Sequence, residues 1–167
     1  LERKNGKFDT SNNSPFDLLN TAFTDSGMCI VVEKDTQVET PIRILFISNG
    51  ERSIMVNPRI NIDVGESSNL TFIEHHVGDA ASFFQNESVF ISLENNAQLN
   101  HICIQSNSEF TQNMANINVN QDGDSQYHFW QLVDGGKLER SNICVQLNGE
   151  NAQCNINSLA LSKNNQH

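Results

Sequence analysis

Hydrophobic and polar residues alternate with a period of two along most of this chain. The clearest stretch runs from Gly135 to Leu161. Ile143, Val145 and Leu147 alternate with polar residues before a turn at Asn148–Asn151, and Ala152, Cys154 and Ile156 do so after it. Alternation on both sides of an Asn-Gly turn signals strand, turn, strand, because successive side chains on a strand face opposite ways. The same pattern predicts strands at Met28–Val32, Ile42–Ser48, Arg59–Val64, Leu70–Val77, Ser88–Leu93, Gln98–Gln105, Gln112–Val119, Gln126–Val133, Lys137–Leu147 and Ala152–Leu161. Helical spacing occurs at Phe16, Leu19 and Phe23, just after Ser14-Pro15, an N-cap and first-turn pair. This predicts a short amphipathic helix reaching about Ala22. Residues 1–13 are polar and aperiodic and read as a linker.

A repeat emerges when the first apolar residues after each turn are aligned. Leu70, Leu99, Tyr127 and Cys154 are separated by 29, 28 and 27 positions, and Val38, 32 before Leu70, is a looser member. Two positions on stand Phe72, His101, Phe129 and Ile156, and before the turns stand Val64, Leu93, Val119 and Leu147. A unit of near-constant length that cannot bury its own apolar face reads as one coil of a β-solenoid. Aligned residues then stack about 4.8 Å apart. A jelly roll or cupin-like sandwich also has short strands and frequent turns. Antiparallel hairpins, however, do not demand like residues at a fixed separation. The expected fold is therefore all-β, a parallel β-helix with one short N-terminal helix.

Composition narrows the function. A chain of 167 residues suits one domain, and 24 asparagines concentrate between the apolar runs, where turns are expected. A formal charge of −10 argues against nucleic acid or an anionic membrane surface as the main partner. No apolar run approaches the roughly 20 residues of a spanning helix, and no signal peptide is visible. Beginning at Leu1 rather than Met, the chain reads as an excised or processed segment. Cys29, Cys103, Cys144 and Cys154 form no C-x-x-C pair. The expectation is four reduced cysteines acting as small buried hydrophobes in a cytosolic protein.

Candidate chemistry is sparse. Glu74-His75-His76 is the densest group of metal-ligand types, but His75 and His76 point to opposite faces of a strand. Glu74 and His76 share a face, yet two donors fall short of the three or four a zinc site needs, so no metal site is expected. His101 and Cys103 share the parity of Leu99. With unbroken parity, the interior contains Glu74, His101 and Cys103, a set able to hold a thiolate or a thiophilic metal. Ile73, Ile102 and Trp130 align on the opposite parity, which favours a corner after Phe72 that turns the polar cluster to solvent. Tyr127, Phe129 and Trp130 form an aromatic run, ordinary core material or a sugar-stacking platform. Asp122 and Asp124 flank Gly123 in a turn without a basic partner. No G-x-S-x-G, P-loop or H-E-x-x-H motif occurs, and no catalytic residue is assigned.

Longer segments carry a resemblance. They are PFDLLNTAFTDSG leading into MCIVVEKDTQVETPIRILFIS, then NPRINIDVGESSNLTFIEHHVG and GGKLERSNICVQLNGENAQCNINSL. In this order they resemble the core of the SufB/SufD family, scaffold components of the SUF iron–sulfur cluster assembly system. The resemblance covers nearly everything after Pro15, and VETPIRILFIS and PRINIDVGESSNLTFIEHHVG are more similar to the SufD branch. It implies a right-handed parallel β-helix core over residues 14–167, with N- and C-terminal helical regions lying outside this segment. It also implies a cytoplasmic, non-enzymatic scaffold subunit that pairs with a SufB-like paralogue and a SufC-like ATPase. The iron–sulfur cluster would be assembled transiently by the full complex, with no cofactor held by this segment. His167, in NNQH, matches a recurrent family position to which no role is carried over. A carbohydrate-active β-helix enzyme and a purely structural β-solenoid are the alternatives. An open last coil would favour self-association of the segment.

Overall fold

The computed structural model describes residues 14–24, 26–79, 82–163 and 166. The linker reading of residues 1–13 and the position His167 fall outside them. The described residues form one helix, α1 (Pro15–Phe23), and eleven strands. These are β1 (Ser26–Val32), β2 (Ile42–Ser48), β3 (Ile54–Val56), β4 (Pro58–Val64), β5 (Asn69–Gly78), β6 (Phe83–Leu93), β7 (Gln98–Asn107), β8 (Thr111–Gln121), β9 (Gln126–Gly135), β10 (Leu138–Leu147) and β11 (Gln153–Leu161).

Every strand pairing is parallel. One sheet runs β1-β4-β6-β8-β10, with β3 on β6, and the other runs β2-β5-β7-β9-β11. A strand therefore pairs with its counterpart one coil on rather than with its neighbour in sequence, which is the wiring of a β-solenoid. The repeat read from the sequence is the register itself: Leu70, Leu99, Tyr127 and Cys154 stand in line, as do Phe72, His101, Phe129 and Ile156. One alignment needs correction. Val119 pairs with Ile91 and Val145, whereas Gln121 takes the place beside Leu93 and Leu147. Gln121 is accepted there because its amide donates to the Ser125 hydroxyl and to the Gln153 carbonyl.

The corner between the sheets is another stacked column. Asp35, Ser67, Asn96, Asp124 and Asn151 all have φ near +58°. Asn and Asp tolerate this left-handed conformation better than other residues with a Cβ, which gives the asparagine-rich composition a structural use. At the opposite corner Gly135 has φ +104°, and a Cβ there would lie 2.0 Å from the Asn107 carbonyl oxygen. Only glycine fits.

Near the left-handed corner the interior is apolar. Ile60, Ile62, Val64, Val89, Ile91, Leu93, Ile117 and Val119 from one sheet meet Leu70, Phe72, Leu99, Tyr127 and Phe129 from the other, all essentially water-free. Helix α1 covers the outside of β6 and β8. Ser14 and Asp17 form a capping box at its start. The predicted apolar face docks only in part, with Phe16 and Leu19 half-buried. Asp17 and Asn20 are the buried residues, while Phe23 is 62% exposed. The outward groups of the strands explain this. Asn20 donates to the carbonyls of Pro58 and Asn86, Asn86 donates to the Phe16 carbonyl, and Ser88 donates to Asp17.

The cysteines also depart from expectation. All four are free thiols, but Cys29 and Cys144 are exposed. They pair with Asn61 and Asn118, on the outward row of the first sheet. Cys154 is half-buried against the core, and only Cys103 is fully inside. No helix among the described residues is long and apolar enough to cross a membrane.

Candidate functional site

Toward the far ends of the strands the solenoid interior becomes polar. Burial along β5 alternates without a break from Leu70 through Phe72 and Glu74 to His76, and β7 does the same through Leu99, His101, Cys103 and Gln105. The corner expected after Phe72 is absent. Glu74, His101 and Cys103, expected to face solvent, are instead buried. Ile73, Ile102 and Trp130 do align, but as an outward row on which Trp130 is 55% exposed. An apolar outer row beside a mixed inner row had mimicked a change of parity. The aromatic run is split by the same alternation, with Tyr127 and Phe129 inside and Trp130 outside, so it forms no single platform. Asp124 occupies the left-handed corner, as a turn residue.

The polar half joins two groups. In the first, His101 Nε2 lies 3.0 Å from Glu74 Oε1, and His101 Nδ1 lies 2.9 Å from the Tyr127 hydroxyl. An imidazole donating Nε2–H to the carboxylate accepts the phenol O–H at Nδ1, so Tyr127, His101 and Glu74 form one directed chain. The imidazole also packs between Phe72 and Phe129, with ring centroids 5.4 and 4.9 Å away. His101 thus stands on the border between the apolar and polar halves.

The second group centres on His76. Its Nε2 lies 3.7 Å from Glu74 Oε2 and 3.7 Å from Glu87 Oε2, and it makes no hydrogen bond. Its other ring nitrogen is 3.1 Å from the Gln85 amide nitrogen. Cys103 is next to Glu74 by strand register. One donor atom each from Glu74, His76 and Cys103 lie within 4.8 Å of one another. Gln105, Asn113 and Glu139 extend the polar lining, with unpaired buried atoms on each.

Electrostatics separates the carboxylates. Burial pushes Glu74 up, but His101 and then His76 outweigh it and hold the carboxyl at about 2. Burial, reinforced by the Glu74 charge, pushes Glu87 up to about 8. Two carboxyls beside one imidazole cannot both ionise at low cost, so one carries the charge and the other the proton. Burial also lifts Glu139 to about 7, although Asn107 donates to it. Burial opposes charge on His76, but the carboxylates of Glu87 and Glu74 overcome it and raise its pKa. The Cys103 thiol is pushed well above its usual range, first by burial and then by Glu74. It is a protonated thiol rather than an activated nucleophile.

Sequence reasoning found Glu74, His101 and Cys103, and missed Glu87 and Gln85. Their signal was present, since 85 and 87 continue the parity of Val89, Ile91 and Leu93. The alternation starts this strand at Ser88, five residues after its first residue, Phe83. Access to the cluster comes from a cavity of about 320 Å³ lined by Phe46, Ser48, Phe83, Asn107, His76 and Gln85.

The family model described as SUF system FeS cluster assembly, SufBD core domain, matches residues 46–167. Among relatives, the iron-sulfur cluster assembly protein SufD of Escherichia coli (strain K12) is 28% identical over 152 residues, covering 89% of this chain and 36% of that protein. Protein ABCI7, chloroplastic, of Arabidopsis thaliana is 28% identical over 147 residues, covering 83% and 31%. The SufBD family protein slr0076 of Synechocystis is 28% identical over 144 residues, covering 80% and 32%. The chain spans about a third of the length of these relatives.

Proposed function

The chain belongs to the SufBD core family of the SUF system for FeS cluster assembly, and from that premise we propose that it is a SufD-type scaffold subunit. The observation that carries this reading is a family match running from Phe46 to the last residue, over coils stacked in continuous register. Its partners in this reading are a SufB-like paralogue and a SufC-like ATPase, its compartment is the cytoplasm, and residues 14–167 are the β-helix core. The segment itself turns over no substrate. An iron–sulfur cluster is the cargo of the complete assembly, not a resident cofactor of these coils. Support comes from the placement of the acid–base groups. Those described above lie inside the solenoid around a protonated thiol, without an activated nucleophile.

The test is co-purification. The protein carrying this core, co-expressed with SufB-like and SufC-like proteins, is expected to elute with both in one complex. Elution apart from both, with each partner folded, rejects the assignment.

A further inference from the structure

We propose that the polar half of the solenoid holds a single divalent transition-metal ion of the zinc or iron(II) class, ligated by Glu74, His76 and Cys103. Glu87 is placed to complete the set. The inference is independent of which proteins the chain pairs with.

The strand register carries the first part. Glu74 and His76 lie on one face of β5, and two donors are too few for such an ion. Parallel stacking sets Cys103 of β7 in line with Glu74, and this neighbouring coil supplies the third. The donor atoms lie within 4.8 Å of one another. Bonds of about 2.0–2.3 Å to a shared tetrahedral ion bring donors to roughly 3.3–3.8 Å apart, so closing the site takes side-chain adjustment of about an ångström.

Unsatisfied groups carry the second part. His76 is 2% exposed, and its Nε2 has no hydrogen-bond partner while facing carboxylate oxygens of Glu74 and Glu87 at 3.7 Å each. Glu87 Oε1 is also buried without a partner. Buried polar atoms without partners are costly, and the orphaned His76 Nε2 faces the carboxylates of both Glu74 and Glu87. A proton satisfies one of them, whereas a cation satisfies the imidazole and the carboxylates together. The Gln85 amide nitrogen lies 3.1 Å from the second nitrogen of His76; metal binding at Nε2 requires the amide to turn over, so that its oxygen accepts from Nδ1–H and fixes the ligating tautomer.

Chemistry and access complete it. One thiolate, one imidazole and one or two carboxylates suit a borderline-soft ion and exclude calcium or magnesium, which take all-oxygen sites. Cys103 binds as the thiolate, so metal uptake releases its proton. The cavity of about 320 Å³ that reaches His76 and Gln85 supplies an entry path.

Cobalt(II) titration of the whole chain, reduced and under anaerobic conditions, tests this by absorption. The expected result is one equivalent bound, with a thiolate-to-cobalt charge-transfer band and visible bands of a low-coordinate ion. Cys103→Ser is expected to abolish the charge-transfer band and weaken binding more than tenfold, and zinc is expected to displace cobalt. Cys29→Ser and Cys144→Ser, which alter exposed thiols, are expected to leave the band intact. His76→Gln is expected to weaken binding more than tenfold, and it decides the matter if circular dichroism shows Cys103→Ser to be unfolded. A band that survives Cys103→Ser, depends on Cys29 or Cys144, or never forms overturns the proposal, as does unchanged affinity in folded His76→Gln.

Discussion

The two halves of the solenoid interior are made by the same strands in the same register, yet they are stabilised differently. Near the left-handed corner, the columns are mostly apolar, Ile62, Ile91 and Val119 on one sheet and Leu70, Leu99 and Tyr127 on the other, with Gln121 between Leu93 and Leu147 as the exception. Any coil there is supported by its neighbours through apolar burial. Toward the other end, the column through Glu74 continues as Cys103 and Gln131. No coil repeats the previous one. Each polar group depends on a different residue one coil away, as Glu74 does on His101 and Gln131 on Gln105. The apolar half explains why the chain stacks. The polar half does not follow from stacking and is where specific chemistry can reside.

This contrast can be broken most severely from the apolar side. Phe72→Ala is expected to cost about 3–5 kcal/mol in urea unfolding, the range for truncating a fully buried aromatic. It should also loosen His101, which packs against that ring. A loss below about 1 kcal/mol would mean that the apolar column does not carry the fold. In the polar half, Glu74→Gln in metal-free protein is expected to cost about 1.5–3 kcal/mol, the scale of hydrogen bonds to a charged group. A neutral result would place Glu74 outside the interior.

The smallest effect is a pH dependence that only the polar half can produce. Glu139 has a folded pKa of about 7 against an unfolded value of 4.5. The folded state therefore binds more protons between those values, and stability falls as pH rises from about 4.5 to about 7. The difference between wild type and Glu139→Gln is expected to be flat below that window, to change by about 1–2 kcal/mol across it after allowing for solvent screening, and to be flat above it. A difference curve without slope would contradict a half-buried Glu139 facing the interior.

Much of this architecture was legible in the sequence, because period-two alternation and a repeat near 28 residues both follow from backbone geometry. The left-handed corner could be anticipated from Asn and Asp in the turns, though Ser67 gives no such signal. The site was harder to read. Parity placed Glu74, His101 and Cys103 inside, but the apolar row Ile73, Ile102 and Trp130 favoured the opposite face. A solenoid can carry apolar residues on both faces of a sheet, so hydrophobicity alone did not decide the direction. The short β3 was missed because Ile54–Val56 has too few residues to show a period. The docking face of α1 is only partly legible, because Asn86 and Ser88 reward the polar partners Asn20 and Asp17 beside half-buried Phe16 and Leu19. Cys103 became a neighbour of Glu74 and His76 only once the register between coils was fixed.

The most direct test of that register is the accessibility of the thiols. In native protein, Cys29 and Cys144 are expected to react with a thiol reagent at once, half-buried Cys154 more slowly, and Cys103 only on unfolding. Mass spectrometry of labelled peptides assigns each site. Protection of Cys103 until the unfolding transition supports an unbroken β7 with Glu74, His76 and Cys103 inside the solenoid. Labelling of native Cys103 at the rate of Cys29 would contradict it.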